Sequence, residues 1–190
     1  MPRLLAFSGS ARKESWNKRL LGPLVAGARA AGAEVTQVDL RDWPMPLYDG
    51  DLEAASGLPE SVQGFKALML EHHGLLLACP EYNSSITPLL KNTIDWCSRA
   101  APGEAPLACY KGKVAGLVSA SPGALGGLRG LVTVRMILGN LQMHMLPQQV
   151  AVGGAAQAFG EDGKLLDPKR QAAVEALGAA TADLAARLAS

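Results

Sequence analysis

Short, wholly apolar segments that stop abruptly at serine, glycine or proline constrain the fold of this chain more than any other feature. The clearest of them cover residues 4–7, 74–79 and 114–118. They lack polar alternation, so each is predicted to be a strand buried on both faces of a parallel sheet. Residues 34–40 and 149–152 are predicted to be a second and a fifth strand. Because parallel strands need long crossover connections, the chain is predicted to fold as an α/β protein.

The segments between these strands carry apolar residues at helical spacing, as Leu20, Leu24 and Ala28 do after the first strand. Helices are predicted over residues 17–31, 59–72, 88–99 and 127–143. A last helix is predicted to start at Asp167-Pro168, with an apolar seam of Val174, Leu177, Leu184 and Leu188. Loops are predicted over residues 43–57, 100–109 and 153–166. Strand and helix thus alternate along residues 1–190. This pattern predicts a single domain with a five-stranded parallel sheet of order 2-1-3-4-5 and helices on both faces.

The composition excludes several classes of function. The chain has 190 residues, 48% of them hydrophobic, and a formal net charge of +1, which does not favour nucleic acid or an anionic membrane as a partner. Its three cysteines and three histidines show neither a disulfide framework nor a metal-ligand pattern. The N-terminal apolar run is too short for a signal peptide, and no apolar stretch approaches the roughly 18 residues of a transmembrane helix. We therefore expect a cytoplasmic protein without membrane insertion.

Residues 8–17, between the first strand and the first helix, have the composition of a phosphate site. They offer three serine hydroxyls, the guanidinium of Arg12 and the free backbone amides of a helix N-terminus near Asn17. Gly9 would allow a tight turn, and Glu14 is expected to face solvent. Since the segment is neither GxGxxG nor GxxxxGK[ST], a monophosphate is favoured over a pyrophosphate or a triphosphate. In a 2-1-3-4-5 sheet this favours flavin mononucleotide (FMN), whereas an ordinary polar turn is the alternative.

Two further loops follow predicted strands, and parallel strand ends meet at one edge of the sheet. Residues 80–88 would present backbone groups to a flat heterocycle, with Tyr82 as an apolar wall. The helix that starts after them would stabilise negative charge on a reduced flavin. Residues 119–127 are small and glycine-rich, which permits close approach to a ring system. An ordinary turn and a flexible connection are the respective alternatives.

Three motifs now carry a resemblance to a known family. They are the Ser10–Asn17 segment SARKESWN, the Pro80–Asn83 segment PEYN and the Leu90–Trp96 segment LKNTIDW. In this order they resemble the NAD(P)H-dependent FMN reductases, bacterial quinone and chromate reductases in particular. The resemblance implies a flavodoxin-like three-layer sandwich with bound FMN and a homodimer or homotetramer. Trp16 stands where relatives often carry another side chain, which affects substrate preference more than flavin binding.

The resemblance also implies the site and the reaction. The residues expected to bind FMN are Ser10, Arg12, Ser15, Trp16, Asn17, Pro80, Glu81, Tyr82, Asn83, Ser119, Ala120 and Ser121. Tyr82 and Arg129 are candidates for substrate contact, although Arg129 could equally form a salt bridge. NADPH or NADH would reduce the flavin, and a quinone, chromate, an azo compound or free flavin would reoxidise it in a ping-pong reaction. No catalytic side chain and no metal are expected, because the flavin supplies the chemistry.

Several reactive residue types are assigned structural roles instead. Cys79 ends a buried strand and is expected in the core, and His72 and His73 are expected to close a helix. Lys91 and Asp95 are expected to pair along a helix, because four positions separate them. Two other functions stay open: a flavodoxin-type electron carrier without a nicotinamide site, and a non-enzymatic nucleotide-binding module. The near-neutral charge disfavours the carrier, since such carriers are usually acidic.

Overall fold

The parallel strands at the centre of the protein take the predicted order. The structure, a computed structural model, describes residues 1–189. Its main sheet is built from β1 (Arg3–Ser8), β2 (Glu34–Gln37), β3 (Gly74–Ala78), β6 (Val114–Ala120), β7 (His144–Met145) and β8 (Val150–Val152). The spatial order is β2-β1-β3-β6-β7, with β8 also paired to β6, and every pairing is parallel. Strand order therefore reverses between β1 and β3, where such sheets bind their ligands.

The fifth position of the sheet is divided between two strands, so the prediction of five strands was wrong by one for residues 1–189. β7 pairs with the start of β6, where His144 lies opposite Val114, and β8 pairs with its end, where Val150 lies opposite Val118. Pro147 lies between the two pieces. Proline has no N–H to donate to the ladder, which accounts for the interruption.

Helices cover both faces of the sheet, as predicted. They are α1 (Trp16–Ala30), α2 (Gly50–Ser56), α3 (Glu60–Glu71), α4 (Pro88–Ser98), α5 (Leu128–Asn140) and α6 (Pro168–Leu188). The pleat of β1 directs Leu4 and Ala6 into the core beneath α1 and α6, while Leu5 and Phe7 enter the core beneath α3, α4 and α5. Both faces of each central strand are thus buried, which explains why these strands were wholly apolar in the sequence.

Helices α1 and α6 touch through their backbones. A Cβ atom on Gly27 would lie 1.9 Å from the carbonyl oxygen of Glu175, and one on Gly178 would lie 2.0 Å from that of Leu24. No side chain fits at either position. The two glycines therefore allow the second half of α1 to pack closely against α6.

The structure departs from the sequence-based prediction at several boundaries. The second strand ends at Gln37, and Asp39 caps a 3₁₀ turn, Leu40–Asp42, where the strand was expected to continue. The predicted loop 43–57 contains α2, none of whose residues is buried, so it leaves no apolar periodicity to read. At the C-terminal end, Leu188 is exposed rather than part of the apolar seam of α6. No helix within residues 1–189 is long and apolar enough to cross a lipid bilayer.

Candidate functional site

The three loops that the sequence singled out meet at the carboxyl ends of β1, β3 and β6. They enclose a cavity of about 70 Å³. Its lining contains most of the residues expected to bind FMN, with Pro122 in addition: Ser10, Arg12, Ser15, Trp16, Asn17, Pro80, Glu81, Tyr82, Ala120, Ser121 and Pro122. A larger cavity, of about 300 Å³, lies beside it at the ends of β1 and β2 and is lined by Ser8, Lys18 and Gln37 among others, and one of about 580 Å³ lies between α1 and α6. The donor groups, and not the volume, therefore identify the candidate site.

The loop between β1 and α1 presents hydrogen-bond donors to this cavity. Ser15 is the N-cap of α1 and is buried, yet within residues 1–189 its hydroxyl makes no capping hydrogen bond. The buried Ser10 hydroxyl accepts a hydrogen bond from the Arg12 N–H at 3.3 Å, which leaves its own proton to donate. Glu14 points away, 70% exposed and 3.5 Å from Arg19, as expected. Two hydroxyls and the positive end of a helix dipole thus converge without an opposing carboxylate.

Arg12 and Trp16 form the outer rim of the cavity. The Arg12 guanidinium lies 5.3 Å from the centre of the Trp16 ring, within the range of a cation–π contact. The guanidinium also donates a weak hydrogen bond of 3.5 Å to the Glu14 carbonyl. Arg12 is exposed, so its guanidinium can contact an anion at the cavity mouth.

Asn17 binds protein backbone with its side chain. Its Nδ2 donates to the carbonyl of Ala120 at 2.8 Å, and its Oδ1 accepts from the N–H of the same residue at 2.9 Å. Both groups are buried. The side chain therefore ties the first loop to the third, and only its backbone amide, at the start of α1, is left to face a ligand.

Thr87 ties the second loop to the first. Its hydroxyl donates to the carbonyl of Gly9 at 2.7 Å and accepts from the N–H of Leu90 at 3.3 Å, so it also caps α4. Gly9 itself was interpreted as a tight turn, but its φ is not positive; a Cβ there would lie 2.7 Å from the Cβ of Leu90. The glycine is needed because α4 packs directly against it.

The second loop contains a small hairpin, β4 (Glu81–Tyr82) and β5 (Ser85–Ile86), which was not predicted. Its turn residues, Asn83 and Ser84, both have positive φ, of 50° and 66°. This is the backbone of a type I′ turn. Tyr82 is 49% exposed beside the cavity, as an apolar wall requires, whereas Asn83 lies at the exposed tip and outside the lining.

Glu81 binds the start of α5. One carboxylate oxygen accepts from the Gly130 N–H at 2.9 Å, and the other lies 3.1 Å from the Arg129 guanidinium. The Glu81 side chain is only 9% exposed, and Arg129 is 58% exposed. Glu81 was expected to bind FMN, but its carboxylate already binds Gly130 and Arg129. Its backbone groups are therefore the part of Glu81 that a ligand can contact. Arg129 forms the salt bridge that the sequence left as one of two alternatives.

Ser119 does not line the cavity, although it was expected to contact the flavin. It is fully buried, and among residues 1–189 its hydroxyl has no hydrogen-bond partner. A Cβ atom on Gly127 would lie 1.9 Å from that hydroxyl oxygen. Ser119 thus supports the third loop from beneath, while Ala120, Ser121 and Pro122 form its surface.

The reactive residue types outside the loops have structural surroundings. Burial raises the pKa of the Cys79 thiol far above its ordinary value, so it does not ionise as a nucleophile. His72 contacts the Leu68 carbonyl and the Thr36 hydroxyl. His73 accepts a hydrogen bond from the backbone of Arg3. Lys91 and Asp95 pair at 2.7 Å, as predicted. These contacts leave the cavity as the place where a bound cofactor would supply the chemistry.

Known proteins resemble this chain over nearly its whole length. A family model described as NADPH-dependent FMN reductase matches residues 2–157. An NAD(P)H-dependent FMN reductase of Pseudomonas aeruginosa is 35% identical over 174 residues, which cover 91% of this chain and 89% of that protein. A quinone reductase of Pseudomonas putida is 37% identical over 163 residues, covering 85% of this chain and 83% of that protein. Both relatives are named as reductases, which favours the enzyme over an electron carrier.

A solved structure agrees with these relatives. FerB of Paracoccus denitrificans, described as a flavoenzyme NAD(P)H:(acceptor) oxidoreductase, superposes with a TM-score of 0.81 at 27% identity and covers 98% of both chains. The flavodoxin-like fold and the family resemblance inferred from the three sequence motifs are thereby confirmed. The chain belongs to the NADPH-dependent FMN reductase family and is an FMN-dependent, NAD(P)H-using oxidoreductase.

Proposed function

We propose that residues 1–190 act as one domain that holds FMN at the three-loop edge and reduces quinone-type acceptors with NADPH or NADH. The observation that carries the proposal is the donor set of the 8–17 loop. Two buried serine hydroxyls, the amino end of α1 and the Arg12 guanidinium converge on a cavity of about 70 Å³. A cavity this small seats a phosphate group, and the rest of a flavin nucleotide must then lie across the neighbouring loops.

The residues of these loops fit the remainder of FMN. The Glu81–Ile86 hairpin and the small residues Ala120 and Ser121 adjoin the cavity and can offer peptide groups to the edge of a flat ring. The α4 helix begins directly behind the hairpin, so its positive end can stabilise negative charge on the ring. FMN would supply the hydride-accepting and hydride-donating chemistry. The protein would bind it, orient it and leave one face open.

An open ring face suits successive use by two substrates. Tyr82 and Trp16 border the cavity and can flank a planar guest, while Arg12 places positive charge at its mouth. That charge fits an anionic nicotinamide nucleotide. Quinones are the acceptors named for the relative from Pseudomonas putida, and we infer the same class here. Chromate, azo compounds and free flavin fit the same open face.

A homodimer or homotetramer is part of the proposal. Leu128, Val132 and Met136 lie four residues apart on α5 and are 40%, 60% and 59% exposed, and Leu125 beside them is 51% exposed. An exposed apolar stripe of this kind is unusual for a surface left in water. A second copy of the chain on α5 would cover it. Light scattering should show an oligomer for the wild type and a smaller species for Val132→Lys.

A cytoplasmic location completes the proposal. Its support is chemical: Cys79, Cys97 and Cys109 are all free thiols, as in a reducing compartment. Cell fractionation tests this part, and recovery in an oxidising compartment would contradict it.

The decisive experiment is spectroscopic. Purified protein, incubated with FMN and desalted, should be yellow, and anaerobic NADPH or NADH should bleach it rapidly; a quinone should then restore the colour. A yellow protein that neither nucleotide bleaches would instead be a flavodoxin-type carrier. A protein that stays colourless would refute the cofactor itself.

In the active enzyme, Tyr82→Ala should change kcat/KM for the acceptor with little change in thermal stability; unchanged rates in both half-reactions would contradict its placement at the ring.

A further inference from the structure

Helix α5 cannot cap its own amino end. Its N-cap residue is Gly127, which has no side chain to accept a hydrogen bond. No other residue fits there, because φ is +90° and a Cβ would lie 1.9 Å from the Ser119 hydroxyl. The free N–H groups of the first turn of α5 therefore need an acceptor from elsewhere.

Glu81 supplies that acceptor from the hairpin. Its Oε2 accepts from the N–H of Gly130, the third residue of α5, at 2.9 Å. An N-cap side chain normally binds this N–H. The carboxylate also lies at the positive end of the helix dipole. Its second oxygen pairs with Arg129, which is 58% exposed, so that ion pair is largely solvated and adds less than the buried hydrogen bond.

The hairpin and α5 also pack without side chains between them. A Cβ on Gly130 would lie 3.2 Å from the Cβ of Glu81 and 3.3 Å from the carbonyl oxygen of Ser85. The hairpin backbone thus rests on the first turn of α5, and Glu81 is the side chain that bonds the two together. If α5 lost this bond, the hairpin would be the element free to move.

We propose that Glu81 is a positioning residue that caps α5 and thereby fixes the hairpin that forms one wall of the flavin site. The proposal rests on the proposed FMN site for its functional consequence. It does not require Glu81 to touch FMN. In this proposal the hydrogen bond that the Glu81 carboxylate accepts from the Gly130 N–H fixes the hairpin, and the ion pair between Glu81 and Arg129 is not needed for it.

Three variants separate the two interactions. Glu81→Gln keeps an oxygen that can accept from Gly130 but loses the ion pair, and Arg129→Gln loses only the ion pair. Glu81→Ala loses both. We expect about tenfold weaker FMN binding and an altered flavin absorption band for Glu81→Ala, since removing a cap weakens a helix end by an amount of that order. Glu81→Gln and Arg129→Gln should bind FMN as the wild type does, with the same absorption band.

Titration of FMN fluorescence and visible spectra measure these effects, and far-ultraviolet circular dichroism checks folding. Equal FMN affinity in all three variants would overturn the proposal, as would a Glu81→Gln variant as weak as Glu81→Ala. If Glu81→Ala does not fold, Glu81→Met, which keeps the length of the side chain but has no carboxylate oxygen to accept from Gly130, takes its place with the same expectation. Hydrogen exchange at Gly130 and over residues 81–86 should accelerate in Glu81→Ala without FMN. Unchanged exchange would overturn the proposal, whereas wild type that binds no FMN would refute only the proposed function.

Discussion

The side-chain amide of Asn17 forms two hydrogen bonds with the backbone of Ala120, because its Nδ2 donates to the Ala120 carbonyl and its Oδ1 accepts from the Ala120 N–H. The two residues are 103 positions apart and belong to the first and third loops of the site. The Thr87 hydroxyl donates one hydrogen bond to the Gly9 carbonyl and so connects the second loop to the first. The loops are thus fastened to one another by side chain-to-backbone bonds, which places their free backbone groups before any ligand arrives.

Asn17→Ala should damage both the fold and the site. It would leave the buried N–H and C=O of Ala120 without partners, which costs about 2–4 kcal/mol of unfolding free energy. Because Ala120 lines the cavity, FMN binding should weaken about tenfold as well. Urea unfolding and FMN titration measure the two effects.

Asn92 provides a matched control outside the three loops. Its Oδ1 accepts from the Tyr48 N–H and its Nδ2 donates to the Pro46 carbonyl, both at 2.8 Å, so it repeats the bonding pattern of Asn17. Asn92→Ala should lower stability but leave FMN affinity unchanged. If the two variants bound FMN equally well, the bond between Asn17 and Ala120 would have no role in shaping the site.

The sequence predicted the parallel sheet and the site region for a physical reason. Strands buried on both faces must be apolar throughout, so β1, β3 and β6 could be read directly, and parallel strands place the following loops at one edge. Short elements without buried residues left no such signal. The α2 helix has none, and the two-residue strands of the hairpin are too short to show a period.

The contacts between loops could not be predicted, because they depend on which strand ends become neighbours. Asn17 could be recognised as polar and near a helix start, but not as a partner of Ala120. Glu81 belonged to a motif of the family, and nothing in the sequence placed its carboxylate on Gly130. That most of the expected residues line one cavity is a finding of the structure; that they bind FMN stays a prediction.

Arg12→Ala should weaken FMN retention without lowering stability. The Arg12 guanidinium is exposed at the cavity rim, where among residues 1–189 it contacts the Trp16 ring and the Glu14 carbonyl. The backbone N–H of Arg12 donates to the Ser10 hydroxyl, and the substitution keeps that bond. One charge-assisted hydrogen bond to a phosphate corresponds to about 10- to 100-fold in affinity. Flavin content after dialysis and the FMN dissociation constant are the measurements. Lys13→Ala removes the same charge one residue further on and should retain FMN; equal losses in both variants would reduce the role of Arg12 to general electrostatics.

Gly127→Ala should destabilise the protein strongly. The alanine Cβ would collide with the Ser119 hydroxyl, and the left-handed backbone at this position would also strain an alanine. We expect the free energy of unfolding to fall by about 2–4 kcal/mol. Gly22 is the matched control, since it lies within α1 and a Cβ there meets nothing within 4 Å. Gly22→Ala should raise stability by about 0.5–1 kcal/mol. Thermal unfolding of both variants decides the matter, and a Gly127→Ala variant as stable as wild type would show that the third loop is not constrained by this contact.

Asp39 should make stability depend on pH at the end of β2. Burial acts to raise its pKa, but hydrogen bonds from Arg41 and Lys18 outweigh burial and hold the pKa well below the ordinary value. A carboxyl group with a lowered pKa in the folded state stabilises the protein fully above its unfolded pKa of about 4, and loses that contribution as the pH falls towards the folded value.

Asp39→Asn should therefore be about 1 kcal/mol less stable than wild type at pH 7, a modest difference because the ion pairs are partly solvated. The difference should persist down to about pH 5 and shrink below about pH 4, where Asp39 of the unfolded wild type begins to take up a proton while Asp39 of the folded protein stays ionised. Urea unfolding at pH 7, 5 and 3 measures it. Asp183→Asn, an exposed position on α6, should show no such difference at any of the three pH values. A gap between wild type and Asp39→Asn that stays constant from pH 7 to pH 3 would mean that the charge of Asp39 does not stabilise the fold.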